Sequence, residues 1–175
     1  VLRVGIHLGG LAAPLVGGVF RLGIRVRNMR PGDRGGVMAI EEVSFPSPWS
    51  RRMFTEELGR DFSDPVVAEG RDGEILGYAV SWTVAGESHL LNIAVAPARR
   101  GAGVGRALLR ECICRGARAG ASRIHLEVRA GNEEAQRLYR DEGFTFQGIR
   151  KGYYTDTGED AVLLAREIRE SDAVS

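Results

Sequence analysis

Only two cysteines stand in the 175-residue chain, Cys112 and Cys114, which is too few for a disulfide framework or a cysteine metal centre. Two positions apart on a helix they point to different faces and miss the Cys-X-X-Cys spacing of a redox pair, so they read as structural thiols of a reducing cytosol. The three histidines, His7, His89 and His125, make no ligand spacing with Cys or Asp. No metal is expected, and catalysis should survive chelators. Net charge is nearly absent too. The 24 basic residues are offset by 23 acidic ones, for a formal +1, which argues against general nucleic-acid binding and leaves any anion site to local placement. No apolar run reaches the ~20 residues that span a bilayer. Residues 1–23 are apolar but broken by glycine, carry only Arg3 and His7 as early charges and show no clear small-residue cleavage site. They read as a poorly ordered N-terminal extension, compatible with a misassigned start. One domain over residues 24–168 and a C-terminal tail over 169–175 make up the rest, long enough to bury roughly two thirds of the unfolded surface.

What the chain does have is RRGAGVGRALL, Arg99 to Leu109, between an apolar strand and an amphipathic helix. The strand is HLLNIAV, His89 to Val95, and Pro97 ends its ladder. A helix beginning near Gly105 offers unpaired first-turn N–H groups and about half a positive charge, which attract an anion. Gly101, Gly103 and Gly105 have no Cβ, so a pyrophosphate can approach the backbone. A glycine-rich surface turn is the plainer alternative. A P-loop is excluded because Arg106 and Ala107 follow Gly105 where Lys and Ser/Thr are needed. A dinucleotide fingerprint fits Gly101, Gly103 and Glu127, but Arg106 replaces the third glycine and obstructs close helix–strand packing.

The remaining pattern is mixed α/β. Ile24–Met29 alternates like a strand, a helix begins after Asp33, and Phe45–Ser50 is a proline-rich loop. Ser50 caps a helix with Met53, Phe54 and Leu58 as its apolar face. Strands follow at Pro65–Arg71 and Glu74–Ala85, joined through Asp72-Gly73. After the glycine loop, the helix Gly105–Ala119 presents Leu108, Leu109, Cys112 and Ile113. RIHLEV is a strand, Asn132 caps the next helix, Gly143 stops it, and two strands near Thr145–Ile149 and Ala161–Ile168 close the pattern.

Several of these blocks carry a family resemblance. Arg100 to Gly105 resembles the coenzyme A pyrophosphate loop of the GNAT acetyltransferases. FPSPW (45–49), LEVRAGN (126–132), LYRDEGF (138–144) and RKGYYTDTGEDA (150–161) are similar to segments of the RimI group, which acetylates the N-terminal alanine of a small-subunit ribosomal protein. The resemblance runs from about Ile24 to Ile168. It implies the GNAT fold: an α/β, mixed α+β architecture whose central, mostly antiparallel sheet is splayed at a β-bulge, with helices on both faces. It also implies acetyl-CoA as acetyl donor without a metal, a ribosomal-protein N-terminus as partner, and a cytoplasmic enzyme, compatible with a monomer, that binds neither nucleic acid directly nor membrane.

Site residues follow from the two readings together. In RIHLEV, Ile124, Leu126 and Val128 alternate onto one face and His125, Glu127 and Arg129 onto the other. Spacing alone allows Glu127 to be a solvated partner of Arg129 or Arg123. The resemblance makes it the general base. A base is needed because a free α-amine, with pKa about 7.7–8.0, is largely protonated at neutral pH. By resemblance Tyr139 protonates the leaving thiolate, although an isolated tyrosine there would also suit packing. Asn132, a helix cap, would also touch the cofactor. A β-bulge would free backbone groups of Ile93, Ala94 and Val95 for the pantetheine arm and thioester. Arg100, Gly101, Ala102, Gly103, Val104, Gly105 and Arg106 would hold the pyrophosphate. Trp49, Tyr153 and Tyr154 would flank the acceptor groove, or be ordinary loop aromatics. His125 is the rival base. A small-molecule amine acetyltransferase and a non-catalytic coenzyme A or peptide-binding module of the same fold stay open as alternatives.

Overall fold

The strand alternation and helix periodicities resolve into a seven-stranded sheet flanked by helices in a computed structural model of the chain, which describes residues 23–174. The strands are β1 (Arg25–Asn28), β2 (Ser63–Glu69), β3 (Ile75–Val84), β4 (Glu87–Val95), β5 (Arg123–Arg129), β6 (Thr145–Tyr154) and β7 (Glu159–Glu167). The helices are α1 (Arg34–Ser44), α2 (Arg51–Glu57), α3 (Val104–Arg118) and α4 (Glu133–Asp141). Sheet order is β1-β2-β3-β4-β5-β7-β6, and every neighbouring pair is antiparallel except β4 with β5. That parallel pair needs a crossover, which the glycine loop and α3 supply.

Each sheet face carries its own core. On one, Leu108, Leu109, Cys112 and Ile113 of α3, with Ala135 and Tyr139 of α4, pack on Val66, Ala79, Leu90, Ile93 and the inward side chains of β5. On the other, Val37 and Ile40 of α1 and Phe54 of α2 pack on Val67, Tyr78, Val80, Leu91 and Ala94. Ser50 caps α2 as expected, its hydroxyl accepting from the Met53 amide. Met53 itself is 38% exposed, a correction to the expected face, because Phe54 alone of that helix is buried completely among its apolar residues. Both cysteines are buried and unbridged.

The feature that positions the site is a bulge in β4. Val80 pairs with Asn92 and Ser81 with Leu90, so Leu91 is the extra residue. Beyond it the neighbouring ladder fails: β4 and β5 pair only at Glu87–Arg123, Ser88–Ile124 and His89–His125. The strands then diverge, leaving the β5-facing backbone of the C-terminal half of β4 outside that ladder. A bulge does splay HLLNIAV, but at Leu91 in the middle of the strand rather than at its end, upstream of Ile93–Val95.

Some boundaries differ from the sequence pattern. The third helix starts at Val104, with left-handed Gly103 as its N-cap (φ +84°). Strand β6 runs five residues past Ile149 to Tyr154, because the GYY segment continues into the hairpin with β7. The C-terminal tail is held against α3 and β7: Arg118 Nε of α3 donates to the Ala173 carbonyl at 3.0 Å, and Arg166 of β7 pairs with Asp172 at 2.7 Å. Except for Gly23, the expected N-terminal extension lies outside the described residues.

Candidate active site

Pro97 stops β4 and the loop turns through Gly101 (φ +72°) and Gly103, conformations that a Cβ would strain. A Cβ on either glycine would meet nothing within 4 Å. Their lack of side chains therefore serves no internal packing, and the loop's outer surface stays open. Beside it lies a cleft of about 490 Å³. Its walls include Val95, Arg100, Gly101, Gly103, Gly105 and Arg106 from the loop side. Glu134, Arg137, Leu138 and Asp141 form the other wall. Those four lie on one face of α4 by helical spacing, opposite the buried Ala135 and Tyr139. Sequence reasoning missed Arg137, although this spacing was readable. Arg106 is braced by Asp141 at 3.1 Å and Glu142 at 3.3 Å, while Arg100 Nε donates to the Val95 carbonyl at 3.3 Å. Burial lowers the Arg100 pKa from its ordinary value.

At the splay, Glu127 projects from the sheet face opposite Ile124, Leu126 and Val128, as the alternation predicts. Its side chain is only 16% exposed and pairs with Arg150 Nη1 of β6 at 3.0 Å. Neither Arg129 nor Arg123 is the partner. Arg129 binds Asp156 at 2.8 Å and Glu159 at 3.2 Å, and Arg123 binds Glu167 at 2.8 Å. Burial pushes the Glu127 carboxyl up from the usual carboxylate range, against the opposing pull of Arg150 and His89. His125 stacks on His89, centroids 5.1 Å apart, and reaches Glu87 at 3.4 Å, toward the paired end of the strands.

Buried polar atoms without hydrogen-bond partners among the described residues include Tyr139 Oη and Asn132 Nδ2, on and at the start of α4, and Asn92 Oδ1 on β4. Asn132 Oδ1 is used, capping α4 through the Ala135 amide at 3.1 Å. Tyr139 is fully buried, its ring 5.6 Å from Phe144, and burial pushes its hydroxyl well above the ordinary phenol value. An unpaired buried hydroxyl costs about 1–3 kcal/mol.

Of the expected acceptor residues, Trp49 and Tyr154 come together on the α1–α2 side of the sheet. Trp49 is 8% exposed, tilted on Phe54 at 5.4 Å, and its amide donates to Glu41 Oε1 at 2.6 Å. Tyr154 is 2% exposed beneath the Arg129 guanidinium, 4.0 Å from its ring centroid. Tyr153 packs edge-on to Tyr154 at 5.2 Å, with Arg150 5.5 Å from its ring. Arg150 thus connects the GYY segment to Glu127. Trp49 and Tyr154 share a small cavity of about 20 Å³ with Phe45, Ser47, Glu41, Asn92, Arg129 and Asp156. Tyr153 is not among its lining residues.

The sequence reading missed Glu41 and Asn92. Glu41 is 1% exposed, accepts from the Tyr78 hydroxyl and the Trp49 amide, and lies 3.3 Å from Asn92 Nδ2. Its signal was a carboxylate set in the Val37–Ile40–Ser44 stripe of α1. Desolvation raises its pKa against those hydrogen bonds.

The chain is similar in sequence and fold to known proteins. The model of the acetyltransferase (GNAT) family matches residues 35–144. A Bacillus subtilis (strain 168) relative, named as a candidate [ribosomal protein bS18]-alanine N-acetyltransferase, is 41% identical over 83% of this chain and 96% of its own. The Escherichia coli (strain K12) [ribosomal protein bS18]-alanine N-acetyltransferase is 33% identical over 82% of this chain and 97% of its own. The crystal structure of the ribosomal-protein-S18-alanine N-acetyltransferase from Escherichia coli superposes with TM-score 0.76 at 32% identity. It covers 83% of this chain and 94% of that one.

Proposed function

Because this chain belongs to the GNAT family of acetyltransferases, we propose that it moves the acetyl group of acetyl-CoA to the α-amine of an N-terminal alanine, that of a small-subunit ribosomal protein in the cytoplasm. The names of the relatives support the acceptor. The observation that carries the reaction is Glu127, a carboxyl raised by burial on the strand that leaves its ladder at His89–His125.

The glycine loop and the first amides of α3 receive the pyrophosphate, and Arg100 and Arg106 add charge beside it. Ile93, Ala94 and Val95 offer their backbone at the splay to the pantetheine arm, and Asn132 Nδ2 supplies one more donor. Acetyl-CoA provides the thioester that is cleaved. Glu127 takes the proton of the attacking α-amine, directly or through one water, and its raised carboxyl brings it closer to the pH at which it works. Tyr139, held protonated by burial, gives its proton to the departing thiolate. The face bearing Trp49 and Tyr154, with Tyr153 beside Tyr154, receives the peptide.

The test is mass spectrometry of an Ala-starting peptide, copied from the ribosomal protein of the same organism, after incubation with enzyme and acetyl-CoA. The acetyl group is expected on the α-amine. Peptide left unmodified by enzyme that binds acetyl-CoA would overturn the reading.

A further inference from the structure

The bulge at Leu91 does more than separate β4 from β5. Strand alternation would send Leu91 and Asn92 to opposite faces. With one residue extra, Leu91 packs in the α1–α2 core, Asn92 meets Glu41 on that same side, and Ile93 returns to the α3 core. The bulge has re-aimed Asn92. It now lies on the face that carries Glu127, past the last β4–β5 pair.

Asn92 is 1% exposed and lines the small cavity beside Trp49 and Tyr154. A carboxylate only accepts hydrogen bonds, so the amide must turn its nitrogen to Glu41. Its oxygen, Oδ1, is buried without a partner among the described residues. Burying such an acceptor is costly unless something completes it. The cavity of about 20 Å³ is sized for one water. An amine nitrogen with its hydrogens is of that size and brings the N–H donor that the oxygen lacks, whether neutral or protonated.

We propose that Asn92 determines specificity for a free amino terminus, its Oδ1 accepting a hydrogen bond from the acceptor's α-amine while Glu41 holds the amide by Nδ2. This deepens the acetyltransferase reading and rests on it. Glu41 is the positioning residue: its other partners, Tyr78 and the Trp49 amide, tie the amide's orientation to the Phe45–Ser50 loop.

The experiment measures peptide binding to the coenzyme A-loaded enzyme by calorimetry, for an Ala-starting peptide and its des-amino analogue, in which propionyl replaces alanyl. Wild type is expected to favour the amine-bearing peptide about 10- to 100-fold, the range for a hydrogen bond involving a charged group. Asn92→Leu, which keeps the volume, is expected to lose most of that preference, keeping only what the amine gains from Glu127, with coenzyme A affinity unchanged. Asn92→Ala serves as the second variant if leucine prevents folding, and the same loss is expected. A preference of wild-type size retained in a folded variant, or no preference in wild type, overturns the proposal. The acetylation assay separates the two claims: wild type that acetylates the peptide while its Asn92 variants keep the full amine preference refutes this inference and leaves the function standing. Wild type that neither acetylates nor binds the peptide refutes both.

Discussion

Gly77 of β3 lies against both strand β4 and helix α3. It pairs with Val95 across the β3–β4 ladder, and a Cβ built on it would lie 2.7 Å from the Ala94 carbonyl oxygen, 3.1 Å from Leu108 Cδ1 and 3.2 Å from Val104 Cγ1. The nearest of these is backbone and cannot rotate away. Gly77→Ala should therefore destabilise by about 1–3 kcal/mol, the usual cost of overpacking. Alanine's lower unfolded-state entropy returns only about 0.4–1 kcal/mol. For a chain of this size each kcal/mol lowers Tm by roughly 2–4 °C, so a net loss of several degrees is expected in thermal melts. The displaced groups are those that would receive acetyl-CoA, namely the Ala94 backbone and the first turn of α3. The KM for acetyl-CoA should rise while peptide affinity stays. An alanine variant that melts within about 1 °C of wild type with an unchanged acetyl-CoA KM would refute the packing argument.

Other substitutions separate chemistry from folding. Tyr139→Phe deletes a hydroxyl that is buried without a partner, so Tm should hold or rise while kcat falls about 10²- to 10⁴-fold; a large drop in Tm would show that the hydroxyl is structural. Gly103→Ala puts a Cβ at φ +84° on the open side of the loop, and should cost about 1–2 kcal/mol and raise the KM for acetyl-CoA more than that for peptide. Tyr153→Phe with Tyr154→Phe should weaken peptide binding measured by calorimetry, and unchanged affinity would remove both hydroxyls from acceptor recognition.

Much of this site was legible in the sequence because its signals are local. Glu127 is set on the face opposite the apolar side chains by a period-two strand, Asn132 caps a helix by residue type, and Gly101 and Gly103 do take the left-handed conformations for which glycine is suited. The miss at Met53 has a local cause as well, since an amphipathic stripe on a short helix does not say which edge of it faces water. Partners across the sheet were less accessible. Arg150 reaches Glu127 from 23 residues away because β7 joins β5 and β6, whereas sequence spacing favours Arg129 and Arg123. Asn92 was hidden for a different reason: a bulge changes which face a residue takes, and no residue type in HLLNIAV announces one.

The central claim is that Glu127 removes the proton of the α-amine. Its most direct test is the rate of α-amine acetylation against pH for wild type and Glu127→Gln. Near pH 7 the variant should be about 10²- to 10⁴-fold slower, and its deficit should narrow as pH rises past the amine pKa of about 7.7–8.0, where the nucleophile needs no base. The wild-type acid limb should lie above the ordinary carboxylate range, in the direction that burial of Glu127 sets. A Glu127→Gln enzyme as fast as wild type at pH 7, or a deficit that does not change with pH, would contradict the assignment of Glu127 as the base.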